Sequence, residues 1–178
     1  SSAGGYSFRR MEADGSNAQF VADGLQWGKP SISPNGEWLV YQALSAGVQI
    51  IWRIPLDGGE PEMVIDLDSS LPVVSPDNTR IAFYYRDPEE EAFKIAVASY
   101  PEGEVQFERK AEATWGGSLL RWTPDGESLL INTVPSDRAN LWRLPLDGSE
   151  LEKLTDFDDR RMYWFELAPD GKTLVVAR

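Results

Sequence analysis

The residues best suited to hold a ligand lie in four segments that join one predicted group of strands to the next. These segments are rich in aromatic residues, aspartates and arginines: Trp27, Asp66, Asp68, Trp115, Asp158, Arg160, Arg161 and Tyr163, followed directly by Trp164. Aromatic rings beside arginine side chains are typical of protein and peptide contacts. We therefore predict that these nine residues form a binding surface, although Trp27 and Trp115 could instead fill space between groups of strands.

Aspartates in the same segments raise the question of a metal site. Calcium takes about six to eight oxygen ligands in a defined arrangement. The candidate ligands are Asp66, Asp68, Asp156, Asp158 and Asp159, and none of them belongs to an Asp-x-Asp-x-Asp-Gly loop. We therefore predict no metal site and no cofactor.

The lack of cysteine and histidine restricts the reactions that this chain could catalyse. With no Cys and no His, it has no thiol nucleophile, disulfide, Ser-His-Asp triad or zinc site of the usual kind. Proton transfer at neutral pH would depend on perturbed carboxylates or lysines. The sequence also lacks the kinase motifs and the Gly-x-Ser-x-Gly elbow of serine hydrolases. We predict no catalytic residues and a protein that is not an enzyme.

The charge and hydropathy patterns exclude two further classes of partner. The formal net charge is −12, which argues against nucleic acid, because such binding depends on Lys and Arg neutralising phosphates. No apolar run approaches the length of a membrane-spanning segment, so we expect no membrane insertion. Residues 1–5 are small and polar and do not resemble a secretory signal peptide.

Two turn signatures repeat along the chain and define its organisation. The first is Ser33-Pro34-Asn35-Gly36, and related turns begin at Ser75, Thr123 and Ala168, with their prolines 42 to 48 residues apart. The second is an Asp-Gly or Glu-Gly pair that recurs at residues 14, 57, 102 and 147. Pro presets φ, Asn or Asp bonds the backbone, and Gly accepts positive φ, so both signatures predict tight turns. Repeats of this length indicate an array of similar units.

Four short apolar runs between these turns predict four antiparallel strands in each unit, which is a propeller blade. We name the strands a to d from the axis outward. The predicted fold is all-β, a β-propeller in one domain, 1–178, with blades at 29–66, 71–110 and 118–155 and half-blades at 6–22 and 164–178. The repeated a–b and c–d turns then share one face, which we call the repeat-turn face. The b–c and d–a connections vary and share the other, the variable-loop face, which often binds partners in repeat proteins.

The two half-blades leave two arrangements open. Residues 6–13 could pair with residues 173–177 and close a ring of four blades. Alternatively the ring stays open, as part of a larger propeller or completed by a second chain, and this is the arrangement that we favour. Open strand edges recruit other chains, so self-association through the blade edges is then expected.

Strands b and c should lie between neighbouring blades and be largely buried. The predicted core residues are Val40, Ile51, Trp52, Ile81, Phe83, Ile95, Leu129, Ile131, Leu141 and Trp142. Arg10, Arg53 and Arg143 recur at one place in strand c, which favours a structural role. Glu89, Glu90 and Glu91 read as a solvated loop tip.

These motifs resemble the WD40-like repeats of the TolB type, often called PD40 repeats. The resemblance depends on the four Pro-Asp/Asn-Gly-like turns, on apolar strands such as 38–41, and on the related segments 51–61 and 141–148. Residues 140–143, 154–157 and 165–176 are also similar to the last blades of propellers fused to bacterial serine/threonine kinases and winged-helix regulators.

The resemblance implies a non-catalytic binding or sensor module for a protein or peptide, within a larger bacterial signalling protein. Two alternatives remain open, namely a stand-alone TolB-like scaffold in the periplasm and an accessory propeller of a peptidase or other hydrolase. The expected location is periplasmic or otherwise extracytoplasmic, with the cytoplasm as the alternative.

Overall fold

The computed structural model describes residues 6–24, 29–111, 119–133, 139–158, 162–168 and 170–177. These residues form sixteen β-strands, and no helix is present among them. The strands are β1 (Tyr6–Arg10), β2 (Gln19–Gly24), β3 (Ser31–Ile32), β4 (Trp38–Ser45), β5 (Val48–Pro55), β6 (Glu62–Ile65), β7 (Ser69–Val74), β8 (Arg80–Asp87), β9 (Ala92–Ser99), β10 (Val105–Lys110), β11 (Leu120–Trp122), β12 (Ser128–Asn132), β13 (Leu141–Pro145), β14 (Glu152–Lys153), β15 (Trp164–Leu167) and β16 (Leu174–Ala177).

The strands form three four-stranded antiparallel sheets and two two-stranded ones. Blade 1 has the order β3-β4-β5-β6, blade 2 the order β7-β8-β9-β10 and blade 3 the order β11-β12-β13-β14. The pair β1–β2 is the first half-blade, and the pair β15–β16 is the last. The predicted all-β propeller with half-blades at both ends is confirmed. That residues 1–178 form a single domain stays a prediction.

A Ser or Thr side chain shapes the a–b turns of blades 1 to 3. The hydroxyl of Ser33 accepts a hydrogen bond from the Trp38 backbone N–H, and the hydroxyls of Ser75 and Thr123 do the same in blades 2 and 3. Each hydroxyl also donates to the Asn or Asp two residues later. That carboxyl or amide oxygen accepts from the backbone two residues further on, as predicted for such turns.

Neighbouring a–b turns also contact each other around the axis. The backbone N–H of Asn35 donates to the side-chain oxygen of Asn78, 3.2 Å away. Arg80 donates to the carbonyl oxygen of Gly126 at 2.7 Å, and a side chain at Gly171 would collide with Pro124. The turns therefore set the spacing between blades as well as the hairpin within each blade.

The core consists of four layers, one at each contact between neighbouring blades. Alternate residues of a strand point to opposite faces of its sheet, so Ile81 and Phe83 pack towards blade 1 while Ala82 and Tyr84 pack towards blade 3. The first half-blade packs on blade 1, and the last half-blade packs on blade 3. Because both faces are covered, the inner strands need nearly continuous apolar sequence.

The ten predicted core residues are largely buried, as predicted. Eight of them are fully buried in these layers, and Trp52 and Trp142 are of intermediate exposure and pack against two of the layers. Both lie on strand c, the third strand from the axis, and pack at the margin of a layer. An indole is large and is seldom covered completely at such a position.

The half-blades do not close the ring through each other. Strand β1 pairs with β2 and strand β16 pairs with β15, and within the described ranges no ladder joins β1 to β16. The structure therefore agrees with the open arrangement. Self-association through these edges stays a prediction.

No membrane-spanning helix is found in the described part of the chain, since none there has the length and apolar character that a crossing requires.

Phe83 and Phe93 lie in the same sheet and provide a matched test of the core. Phe83 is fully buried between blades 1 and 2, whereas Phe93 is 59% exposed. We expect Phe83→Ala to lower the free energy of unfolding by about 3–5 kcal/mol and Phe93→Ala by less than about 1 kcal/mol. Urea denaturation of both variants measures this difference, and equal losses would show that the contact between blades 1 and 2 is not packed as described.

Candidate functional site: the axial cavity and the variable-loop face

Residues at or near the start of strand a in each repeat surround a cavity of about 540 Å³ on the axis. Every repeat contributes the residue that lies four positions before its a–b turn. These equivalent residues are Lys29, Leu71, Leu119 and Trp164, and we call them the upper ring. Strand a runs from the variable-loop face towards the repeat-turn face, so the upper ring lies at the variable-loop end of the axis.

Two cations lie against the exposed aromatic ring of this cavity. The Nζ atom of Lys29 lies 4.9 Å from the centre of the Trp164 ring, and the guanidinium carbon of Arg121 lies 5.2 Å from it. Trp164 remains 41% exposed. A cation over an indole face is stabilised by the ring's quadrupole, so these contacts fix the position of the indole at the cavity mouth.

Arg121 also joins blade 3 to the last half-blade. Its Nε and Nη2 atoms donate to both carboxylate oxygens of Glu166 at 2.9 to 3.2 Å. A second cavity of about 300 Å³ lies on the repeat-turn side, between Pro34, Pro76 and Pro124. Arg121 and Trp122 line both cavities, whereas Glu166 lines only the second one.

A bulge in strand β7 brings Leu71 into the upper ring. The β7–β8 register shifts between Ser70 and Val73, and Leu71 has a φ of 55°, which is unusual for a residue with a branched side chain. The side-chain oxygen of Gln42, a buried residue of blade 1, accepts a hydrogen bond from the Leu71 backbone N–H at 3.0 Å. Bulges redirect side chains, and here the redirected side chain lines the cavity.

The structure separates the nine predicted binding residues. Trp164 lines the cavity, and Tyr163 next to it is 69% exposed. Asp66, Asp68 and Asp158 are exposed but do not line this cavity. Trp27, Trp115, Arg160 and Arg161 lie outside the described residues. The binding role of all nine stays a prediction.

Sequence reasoning did not single out Lys29, Leu71, Leu119 and Arg121. Aligning the repeats on their a–b turns would have found them, because the first three occupy the position of Trp164 and Arg121 occupies that of Glu166. For a metal, no group of three or more acidic side chains with suitable geometry occurs in the residues that the structure describes.

An ion network stabilises the b–c hairpin of blade 2 on the variable-loop face. The Lys94 ammonium lies 2.6 Å from Asp87, 2.9 Å from Glu90 and 3.1 Å from Glu108. Glu90 therefore belongs to a network and is not merely part of a solvated tip as expected. The hydrogen bonds from Lys94 lower the pKa of Asp87 and Glu90. Burial, with a hydrogen bond to Glu108, raises the pKa of Tyr85 to about 12.

Two of the three recurring arginines of strand c, Arg53 and Arg143, form pairs within their own blades. Arg53 donates to Glu62 on the neighbouring strand at 2.7 Å, and Arg143 donates to Glu152 at 3.3 Å. Both contacts join strand c to strand d. The predicted structural role of these two arginines is confirmed.

Comparison with solved structures assigns the fold. TolB from Acinetobacter baumannii aligns with a TM-score of 0.77 at 18% identity, over 96% of this chain and 42% of that one. The fold is a TolB-like β-propeller. The propeller domain of the Trilobed protease from Pyrococcus furiosus, described as having an open velcro topology, aligns with a TM-score of 0.62 at 14% identity, over 89% of this chain and 50% of that one.

Comparison with known sequences gives a relative of a different kind. No protein-family model matches the chain. It is 25% identical over 170 residues to dipeptidyl-peptidase 5 from Aspergillus fumigatus, a match that covers 82% of this chain. This chain spans only 23% of the length of that relative.

The Lys94 network predicts a pH-dependent stability. Each carboxyl has a pKa below its ordinary value in the folded state, so it stabilises the fold above about pH 4 and loses this effect as the pH falls further. We expect Lys94→Met to lower the urea midpoint at pH 7, and the difference from the parent chain to shrink towards pH 3. Lys110→Met, at an exposed lysine 3.6 Å from Glu90, is the control with little effect. A Lys94→Met difference that stayed constant from pH 7 to pH 3 would contradict this account.

Proposed function

We propose that this chain is a non-catalytic binding module that holds a protein or peptide segment on its variable-loop face, with the axial cavity as the anchoring site. The observation that carries the proposal is the cavity at that face, where an exposed indole lies beside apolar walls and two cations. Ligand sites combine an apolar concave surface with a few fixed polar groups. Tryptophan and arginine also contribute disproportionately to binding energy at interfaces.

The absence of Cys and His from the sequence supports a binding role over a catalytic one, because the usual nucleophile–base pairs are unavailable. Carboxylates that act together as acid and base lie within about 10 Å of each other across a site. No Asp or Glu is found among the described residues that line the axial cavity, and Glu166, which lies beside it, is bound by Arg121. A protein or peptide partner fits this site. That the chain neither binds nucleic acid nor inserts into a membrane stays a prediction from the sequence.

Three cellular contexts are consistent with this module. We favour a region of a larger bacterial signalling protein, with a periplasmic or other extracytoplasmic location. A stand-alone TolB-like periplasmic scaffold is the alternative that the fold supports. An accessory propeller of a peptidase is the alternative that the match to part of dipeptidyl-peptidase 5 supports. The sequence that flanks this chain in its gene separates the three, since it would encode a signalling domain, a signal peptide with a small domain, or a hydrolase.

Selection from a library of displayed linear peptides tests the binding function directly. We expect enriched peptides whose affinity falls by roughly tenfold or more in Trp164→Ala, because large buried aromatic contacts dominate interface energies. Glu127→Ala is the control, since Glu127 is an exposed residue of an a–b turn on the repeat-turn face. Calorimetry on the purified chain measures both affinities.

Two results would contradict the proposed function. One is that selection enriches no peptide above background. The other is that the enriched peptides bind Trp164→Ala as tightly as the parent chain but lose affinity in Glu127→Ala, which would move the site to the repeat-turn face.

A further inference from the structure

We propose that the axial cavity recognises a carboxylate group on an apolar body, with the Lys29 ammonium as its counter-ion and the Trp164 indole as its platform. This inference rests on the proposed binding function and specifies the ligand chemistry of the same site.

In the part of the chain that the structure describes, no ion pair is found for Lys29. Lys94, Lys110 and Lys153 each form at least one ion pair, and the exposed Lys172 forms none among these residues. Lys29 differs from Lys172 because it lines the cavity and lies over the Trp164 ring.

Lys29 is an exposed residue at the cavity, where the Trp164 ring favours its positive charge. Partial burial of the ammonium lowers its pKa, and the nearby positive Arg121 lowers it further. Glu166 already binds Arg121 through both oxygens and so is committed to that contact. An anion that enters the cavity would offset the effects of burial and of Arg121 on the Lys29 ammonium, because an opposite charge favours the charged form.

The size and the apolar walls of the cavity indicate which anion fits. The cavity volume of about 540 Å³ exceeds the needs of a single small ion, and Leu71, Pro72 and Leu119 give it apolar walls. Phosphate sites usually combine forked arginine contacts or several backbone N–H groups. One free ammonium beside an indole and aliphatic walls is better matched to a carboxylate with an adjoining apolar side chain.

Such a carboxylate has two sources, the C-terminus of a peptide or an acidic side chain next to a large apolar one. Three synthetic peptides distinguish them. The first is acetyl-Ala-Ala-Leu-Phe with a free C-terminus, the second is the same peptide as its amide, and the third is acetyl-Ala-Asp-Leu-Phe amide. Calorimetry at low ionic strength gives the affinity of each for the full chain.

We expect a carboxylate-bearing peptide to bind roughly tenfold or more tightly than the plain amide, as is usual for a hydrogen bond between charged groups. Tighter binding of the free acid assigns the C-terminus as the source, and tighter binding of the Asp peptide assigns the side chain. Lys29→Gln should abolish the preference, and Lys29→Arg should keep most of it. Lys172→Gln, the same charge change at an exposed turn residue, should leave the preference unchanged.

Equal binding of all three peptides would overturn the inference, as would a preference that persists in Lys29→Gln or no binding of any peptide at millimolar concentration. These results differ from failure of the proposed function. If all three peptides bind equally and all are weakened by Trp164→Ala, the axial site binds peptides but does not select a carboxylate. The display selection judges the binding function without depending on these three peptides.

Discussion

Packing between blades is the constraint on which the rest of this structure depends. Each inner strand is covered on both faces, as shown by Ile81 and Ala82, which are adjacent in sequence and fully buried in different layers. A single four-stranded sheet could not bury both of its apolar faces alone, so the stability of one blade depends on its neighbours. Contacts such as Arg80 to Gly126 then fix how one blade meets the next near the axis.

The same regularity creates the candidate site. Because the a–b turn recurs at the same place in each repeat, the residue four positions before it lies at the axial cavity in every repeat. The turns conserve geometry at one end of strand a, while the residues at the other end are free to differ, and here they are Lys29, Leu71, Leu119 and Trp164. The fold thus supplies a constant scaffold and leaves the chemistry of the variable-loop end to four side chains.

Local signals explain what the sequence could predict. The turn that begins at Ser33 and its repeats are held by hydrogen bonds between residues only a few positions apart in sequence. The blades, their strand order and most of the core were therefore predictable. The pairing of Arg121 with Glu166 spans 45 residues, and the Lys29–Trp164 contact spans the whole array. Such contacts exist only once the repeats surround an axis. The pairing of Glu90 with Lys94 was also not predictable, because it depends on how far the two side chains reach across the hairpin. The equivalent positions of the repeats, and not the composition of the loops, identify the residues that line the cavity.

The central claim is that the variable-loop end of the axis is where this propeller binds its partner. A crystal structure of the chain with a peptide obtained by selection tests that claim most directly. The account predicts peptide density between Lys29 and Trp164, in contact with Leu71 and Leu119. Peptide density at the repeat-turn face, or added as a strand along β1 or β16 with the cavity empty, would contradict it.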